Sequence, residues 1–189
     1  MQPRHYGPFP YTPINDRPKL EWPGGARLAV WVIPNIEFFP LTRGISGHPG
    51  APAGNPPSVR AWAQRDYGNR VGIWRLMDVL SKHGIRASPT LNSDICDHHP
   101  QVDAPHFQYR NGTIDEFEKM IRRQFDTLYA EGAQSGRVMA ICLHPYLIGV
   151  PHRIGGLDAA LQYIRSHDQV WFATGQEIVR HWLQSGTTF

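Results

Sequence analysis

Glu37 stands in "PNIEFFP", an acid set among Ile36, Phe38 and Phe39. A carboxyl in apolar surroundings holds its proton more tightly, and a glutamate tuned in this way serves as a general base near neutrality. A glutamate in a turn can equally well face solvent, and the residue type leaves both readings open. Its position just after an apolar run favours chemistry, because ligand sites of parallel α/β folds lie at the carboxyl ends of strands. His144 repeats that placement in "VMAICLHPYLIGVPHRIGG", residues 138–156, where an apolar run stops at His144-Pro145. An imidazole there can act as an acid, an electrophile or a metal ligand, or can simply bond a nearby carbonyl. The same stretch carries His152-Arg153, and arginine suits planar, bidentate recognition of a carboxylate or amide-like group, with a solvated loop charge as the plainer alternative.

Asn35 and Tyr146 stand two residues from Glu37 and His144, and Asn92 closes a further apolar run, so all three are candidate substrate-binding residues at one rim. Arg60, Trp62, Tyr67 and Arg70, in "RAWAQRDYGNR", can line the same pocket or belong to a packed loop with exposed charges. "SDICDHHPQ" brings Asp94, Asp97, His98 and His99 close together, yet adjacent histidines rarely converge on one ion. No HExxH spacing, GxSxG, phosphate-binding loop or dinucleotide fingerprint is present, and neither metal nor cofactor is expected.

Four strands must hold these groups. Arg27 to Ile33, "RLAVWVI", is a short β-branched and aromatic run bounded by Gly24-Gly25 and Pro34, which suits a strand buried on both faces. Ile85 to Leu91, Val138 to Leu143 and Val170 to Ala173 read as the others. From Pro34 to Asp66 repeated prolines predict a long loop. Helices are expected over Asn69 to His83, capped by Asn69, stopped by Gly84 and turning Val71, Trp74, Met77 or Asp78, and Leu80 inward. Another begins at the capping box Thr113-Ile-Asp-Glu116 and buries Phe117, Ile121, Phe125 and Leu128. A third runs from Leu157 to His167, burying Leu157, Leu161 and Ile164. A last one opens at the box Thr174-Gly-Gln-Glu177, with Ile178 and Trp182 on one side. Strands alternating with helices predict parallel strands joined by crossovers, an α/β architecture.

The 189 residues suit one domain with a Pro/Gly-rich arm over residues 1–26. At 41% hydrophobic and 19% charged the chain is globular, and its net charge of +3 is scattered, which argues against nucleic acid as a partner. Cys96 and Cys142 sit in apolar runs without metal-binding spacing and read as reduced core thiols. No apolar leader or membrane-spanning run is found, so a soluble, cytoplasmic protein acting on a small molecule is expected.

Taken together, "RLAVWVIPNIEFFP", "RDYGNRVGIWRLMDVLSKHGIRASPTLN", "APHFQYRNGTIDEFEKMIRRQFDTLYAEG" and "GRVMAICLHPYLIGVPHRIGGLDAALQYI" resemble the polysaccharide deacetylase superfamily, in its allantoinase-like branch. The resemblance implies a distorted (β/α) barrel and hydrolysis of C–N amide bonds: N-acetyl sugars in the parent group, cyclic ureides or imides in this branch. It implies Glu37 as the catalytic base and His144 as the histidine of the last motif, with His152 and Arg153 in the branch's own extension. Phe38 falls where the carbohydrate esterases keep a metal-binding Asp, which implies the metal-independent manner. The resemblance breaks between Gln101 and Val102, where the middle of the barrel and its paired histidines are absent. Four strands also fall short of a closed barrel of about eight strands and ~200 residues or more. The expected fold is therefore a parallel (β/α) barrel-like domain, incomplete or open, with its edges covered by the arm, by helices or by another copy in a homo-oligomer. A shortened, non-catalytic binding subunit and a metal-dependent saccharide N-deacetylase are the alternative functions.

Overall fold

The computed structural model describes residue 13 and residues 16–37, 58–90 and 112–185. Within them three parallel strands form one sheet in the order β2-β1-β3: β1 is Leu28–Pro34, β2 is Arg137–Leu143 and β3 is Val170–Phe172. The most apolar strand, β1, takes the centre, and every residue of "LAVWVIP" except Trp31 is buried. Its pleat divides the sheet into two faces. Leu28, Val30 and Val32, with Met139, Ile141 and Leu143 of β2, pack into one core with Leu76, Leu80, Phe117, Ile121, Phe125, Leu157, Leu161 and Ile164 of the helices. The alternation turns Ile33 and Cys142 to the opposite face, and a polar residue follows each strand, Asn35 after β1 and His144 after β2.

The expected second strand is nearly lost. Residues 88–90 do run parallel to β1: Ser88 and Thr90 donate their backbone N–H groups to Val32 and Pro34, and Ile36 donates to Thr90. Only one bridge forms, between Asn35 and Thr90, because β3 occupies the Leu28–Val30 part of the same edge. Among the described residues the parallel sheet is thus an incomplete barrel.

A larger correction concerns the helix expected from Asn69. Helix α1, Val59–Tyr67, begins ten residues earlier, where the Ser58 hydroxyl accepts the N–H of Ala61 at 3.3 Å. It continues through a π-helical turn, Gly68–Gly72, into α2, Ile73–Lys82. Asn69 therefore lies inside a helix, and the residues expected to be loop from Val59 to Asp66 are helical. The inward face differs too: Leu76 and Leu80 are buried while Trp74 and Met77 are 62% and 48% exposed. Gly68, Gly72, Leu76 and Leu80 form one ridge at four-residue spacing, and its first two members have no side chain that an apolar count could register.

Helix α3, Ile114–Glu131, has the expected capping box and buried face. After β2 comes a single turn, α4 (Pro145–Ile148), then α5 (Pro151–Arg165). The latter starts six residues before the expected Leu157, because Pro151 occupies a first-turn position where its missing N–H costs nothing. His152 and Arg153 are consequently first-turn helix residues rather than loop residues. Leu157, Leu161 and Ile164 face inward as expected. The buried His83 ring, 2.7 Å from an Asp158 carboxylate oxygen, joins the end of α2 to α5, and Arg165 donates to the His83 carbonyl at 2.8 Å. Helix α6, Gly175–Gln184, is closed by the Thr174–Glu177 box. Among the described residues no helix is long and apolar enough to cross a membrane.

Two outcomes follow from these packings. A methyl group at Gly68 would meet the Tyr146 Cβ and backbone nitrogen at 2.6 Å. Gly68→Ala should therefore cost about 1–3 kcal/mol or more in urea denaturation. Gly155→Ala, on an open face of α5 with nothing within 4 Å, should instead gain up to ~1 kcal/mol. Glu177 is held down to about 2 from 4.5, first by the Thr174 backbone N–H and next by the Arg86 guanidinium. Because the folded value is depressed, this stabilisation is complete above the ordinary carboxylate range and fades as pH falls from about 4.5 to about 2. Glu177→Gln should accordingly lower the melting temperature at pH 7, with the gap to wild type closing across that acid window in thermal melts followed by circular dichroism.

Candidate active site

The polar ends of β1 and β2 meet. Glu37 is 9% exposed and His144 2%, and Glu37 Oε1 lies 3.7 Å from His144 Nε2. That is ion-pair range but longer than a direct hydrogen bond. The other carboxylate oxygen, Oε2, accepts from Arg65 Nε at 3.3 Å. Arg65 is itself buried, and its guanidinium lies 4.9 Å from the centre of the Tyr146 ring, which in turn meets the His144 imidazole edge-on at 5.5 Å. Carboxylate, guanidinium, phenol ring and imidazole thus close one circuit from three elements. A buried carboxylate without a partner would be costly, and the Arg65 charge offsets it.

Local structure explains how each group arrives. Arg65 and Asn69 lie four residues apart and share a helix face. Arg65 takes the Glu37 carboxylate while Asn69 Nδ2 donates to the Glu37 backbone carbonyl at 2.8 Å. Glycine permits the close approach this needs: Gly72 and Gly149 touch backbone to backbone, so a side chain at either position would strike the other's chain or Pro145. A π turn at such a position fits the general tendency of these distortions to fall at functional sites. His144 precedes Pro145 at the N-terminus of α4, and its carbonyl accepts the N–H groups of Leu147 and Ile148. Arg75 fastens the far side, donating to the Tyr67 hydroxyl at 2.5 Å and to the Gly149 carbonyl at 3.1 Å.

The sequence candidates divide accordingly. Glu37, His144, Tyr146 and Asn35 come together, Asn35 being 2% exposed. The half-buried Tyr67 accepts from Arg75 through its hydroxyl. Arg153 is half-buried and donates to the Leu147 carbonyl at 3.2 Å, within the turn that follows His144. His152 and Arg60 are exposed, and Trp62 is half-buried on α1. Asn92, Phe38, Asp94, Cys96, Asp97, His98 and His99 lie outside the described residues. The side-chain pattern points to neither Arg65 nor Asn69 as a site residue, because the prolines before Ser58 argue for loop up to Asn69; a helix extended back to Ser58 puts both on the face toward Glu37.

No family model matches the chain. Over 69 residues it is 39% identical to a protein of Schizosaccharomyces pombe (strain 972 / ATCC 24843) described as "Putative polysaccharide deacetylase". The match takes in 36% of this chain and only 22% of that relative's length. Among solved structures, Puue allantoinase superposes with a TM-score of 0.75 over 91% of this chain and 95% of its own, at 19% identity. A probable polysaccharide deacetylase from Pseudomonas aeruginosa PAO1 does so at 0.76 over 93% and 97%, again at 19% identity. The chain shares the fold of these two structures.

Among the described residues the groups around Glu37 are ill-suited to a metal ion. Among the described residues no three His, Cys, Asp or Glu side chains gather into a ligand cluster. Glu37 Oε2 already faces a guanidinium, a fixed positive charge that would repel a cation bound to the same carboxylate. Arg65 thus fills the charge-balancing role. Its removal should leave the Glu37 carboxylate buried without its guanidinium partner, so Arg65→Met should cost about 3–5 kcal/mol. In the Glu37→Gln/Arg65→Met pair more than half of that loss should return, as read from a double-mutant cycle by urea denaturation.

Proposed function

We propose that the chain hydrolyses a non-peptide C–N bond in a small cyclic amide, ureide or imide. The carrying observation is the buried Glu37–His144 pair, 3.7 Å apart at the carboxyl ends of neighbouring parallel strands and charge-balanced by Arg65. The superfamily's amide chemistry and the likeness to a protein named an allantoinase support the choice of bond and ring. In this reading Glu37 takes a proton from water as its oxygen attacks the carbonyl carbon. His144 gives a proton to the ring nitrogen as the C–N bond breaks, leaving a carboxylate and a free amine, amide or urea nitrogen according to the ring. The geometry asked of such a pair is hydrogen-bond reach to a bound substrate from both sides. Arg153, beside the turn that follows His144, orients the ring's carbonyl oxygens. The strand edges left open among the described residues would be covered in a homo-oligomer.

Purified protein should turn over at least one of allantoin, hydantoin or succinimide, measured by product release, with its native mass recorded on the same sample. Glu37→Gln and His144→Ala should each lower kcat/KM by roughly 10²–10⁴-fold. Activity untouched by both substitutions would remove these residues from the chemistry. A stable oligomer that binds rings without turning any over would favour a non-catalytic binding subunit instead.

A further inference from the structure

Asn35 is the most deeply buried polar side chain of the site apart from His144, and its hydrogen bonding is one-sided. Its carbonyl oxygen, Oδ1, accepts the Thr90 hydroxyl at 2.5 Å. Its Nδ2 group is buried and has no hydrogen-bond partner among the described residues. A buried donor without an acceptor is a standing cost to the folded protein, and such groups in native structures call for an explanation. A cheaper side chain was available, since an apolar pair at positions 35 and 90 would satisfy the same packing.

Placement supplies the explanation. Asn35 and Glu37 both follow β1 directly, two residues apart, and both are buried. The Asn35 backbone N–H donates to the Leu143 carbonyl at 2.7 Å, which seats it beside His144, the residue that follows β2. Base, acid and unpartnered amide therefore stand together at the carboxyl ends of β1 and β2. We propose that Asn35 Nδ2 is the donor that receives the carbonyl oxygen of the scissile amide and stabilises the oxyanion formed on water attack, with Thr90 as the positioning residue that fixes its orientation. The proposal rests on the hydrolase reading and adds a specificity: the ligand must present a carbonyl oxygen, and a ring amine lacking one is rejected. Atoms balance as before, the oxyanion collapsing to the product carbonyl as the C–N bond breaks.

The test compares wild type with the Asn35→Leu/Thr90→Val pair, using kcat and KM on the ring panel and thermal shifts with succinimide and with pyrrolidine, which has the ring but no carbonyl. Replacing both hydrogen-bond partners by apolar groups is nearly neutral for stability, so the melting temperature should hold or rise. Loss of an oxyanion donor should meanwhile lower kcat by about 10²–10³-fold with KM changed far less. Thr90→Val alone should lower kcat to a smaller extent. Turnover in the double variant within threefold of wild type would overturn the role of Asn35 and leave the hydrolase reading standing. If wild type turns over no ring yet is stabilised by succinimide and not by pyrrolidine, and the double variant loses that shift, the hydrolase reading falls and the carbonyl-receiving role stands. Neither turnover nor a succinimide shift in wild type would overturn both.

Discussion

A carboxylate buried at the end of the central strand has to be compensated, and the elements around Glu37 meet that requirement. The strand itself offers nothing, being apolar from Leu28 to Pro34. The compensating charge comes from Arg65, 28 residues away in the chain and on a helix whose approach is possible only because Gly68, Gly72 and Gly149 present bare backbone to one another and to α4. Were those positions to carry side chains, α1 would stand off by the width of a methyl group and the guanidinium would withdraw from the carboxylate. A buried ion pair seldom adds much net stability, but it fixes geometry, since each partner is costly to leave alone.

That geometry joins the two halves of the described chain. The first half, β1 with α1 and α2, supplies Glu37, Arg65 and Asn69; the second, β2 with α4, supplies His144 and Tyr146. The parallel ladder brings β1 and β2 together in one register, Pro34 opposite Leu143, and so places the residues that follow each strand side by side. Stacking of Arg65 on Tyr146, and of Tyr146 against His144, carries the coupling across the joint. The helical layer on the other face, anchored by Phe117, Phe125 and Leu161, keeps both strands flat against one core. Apolar packing thus sets the register, and the register sets the distance between base and acid.

Much of this was legible in the residues. The strands at Leu28–Pro34 and Arg137–Leu143 announce themselves by β-branched runs, and the boxes at Thr113 and Thr174 mark helix starts, because capping is decided by groups three residues apart. The rim positions of Glu37 and His144 also follow from strand ends alone. The start of α1 was not legible, since the proline-rich segment before Ser58 argues for loop and the helix is held by its contact with α4 rather than by a strong apolar stripe. The first turn of α5 was missed for a related reason: Pro151 and the glycines after it read as loop residues, and only packing shows that they continue a helix.

The sequence by itself determined the class of fold, the polar termini of β1 and β2, and the residue types available for acid–base chemistry, because these depend on periodicity and on neighbours within a few residues. The tertiary structure decided which cation balances Glu37, how β3 and residues 88–90 divide one strand edge, and which buried amide stays unpartnered. Such outcomes turn on contacts between segments far apart in the chain, and on glycines whose contribution is the absence of a side chain. A reading based on the pattern of side chains has nothing to register at those positions, whereas close packing of backbone against backbone makes them decisive.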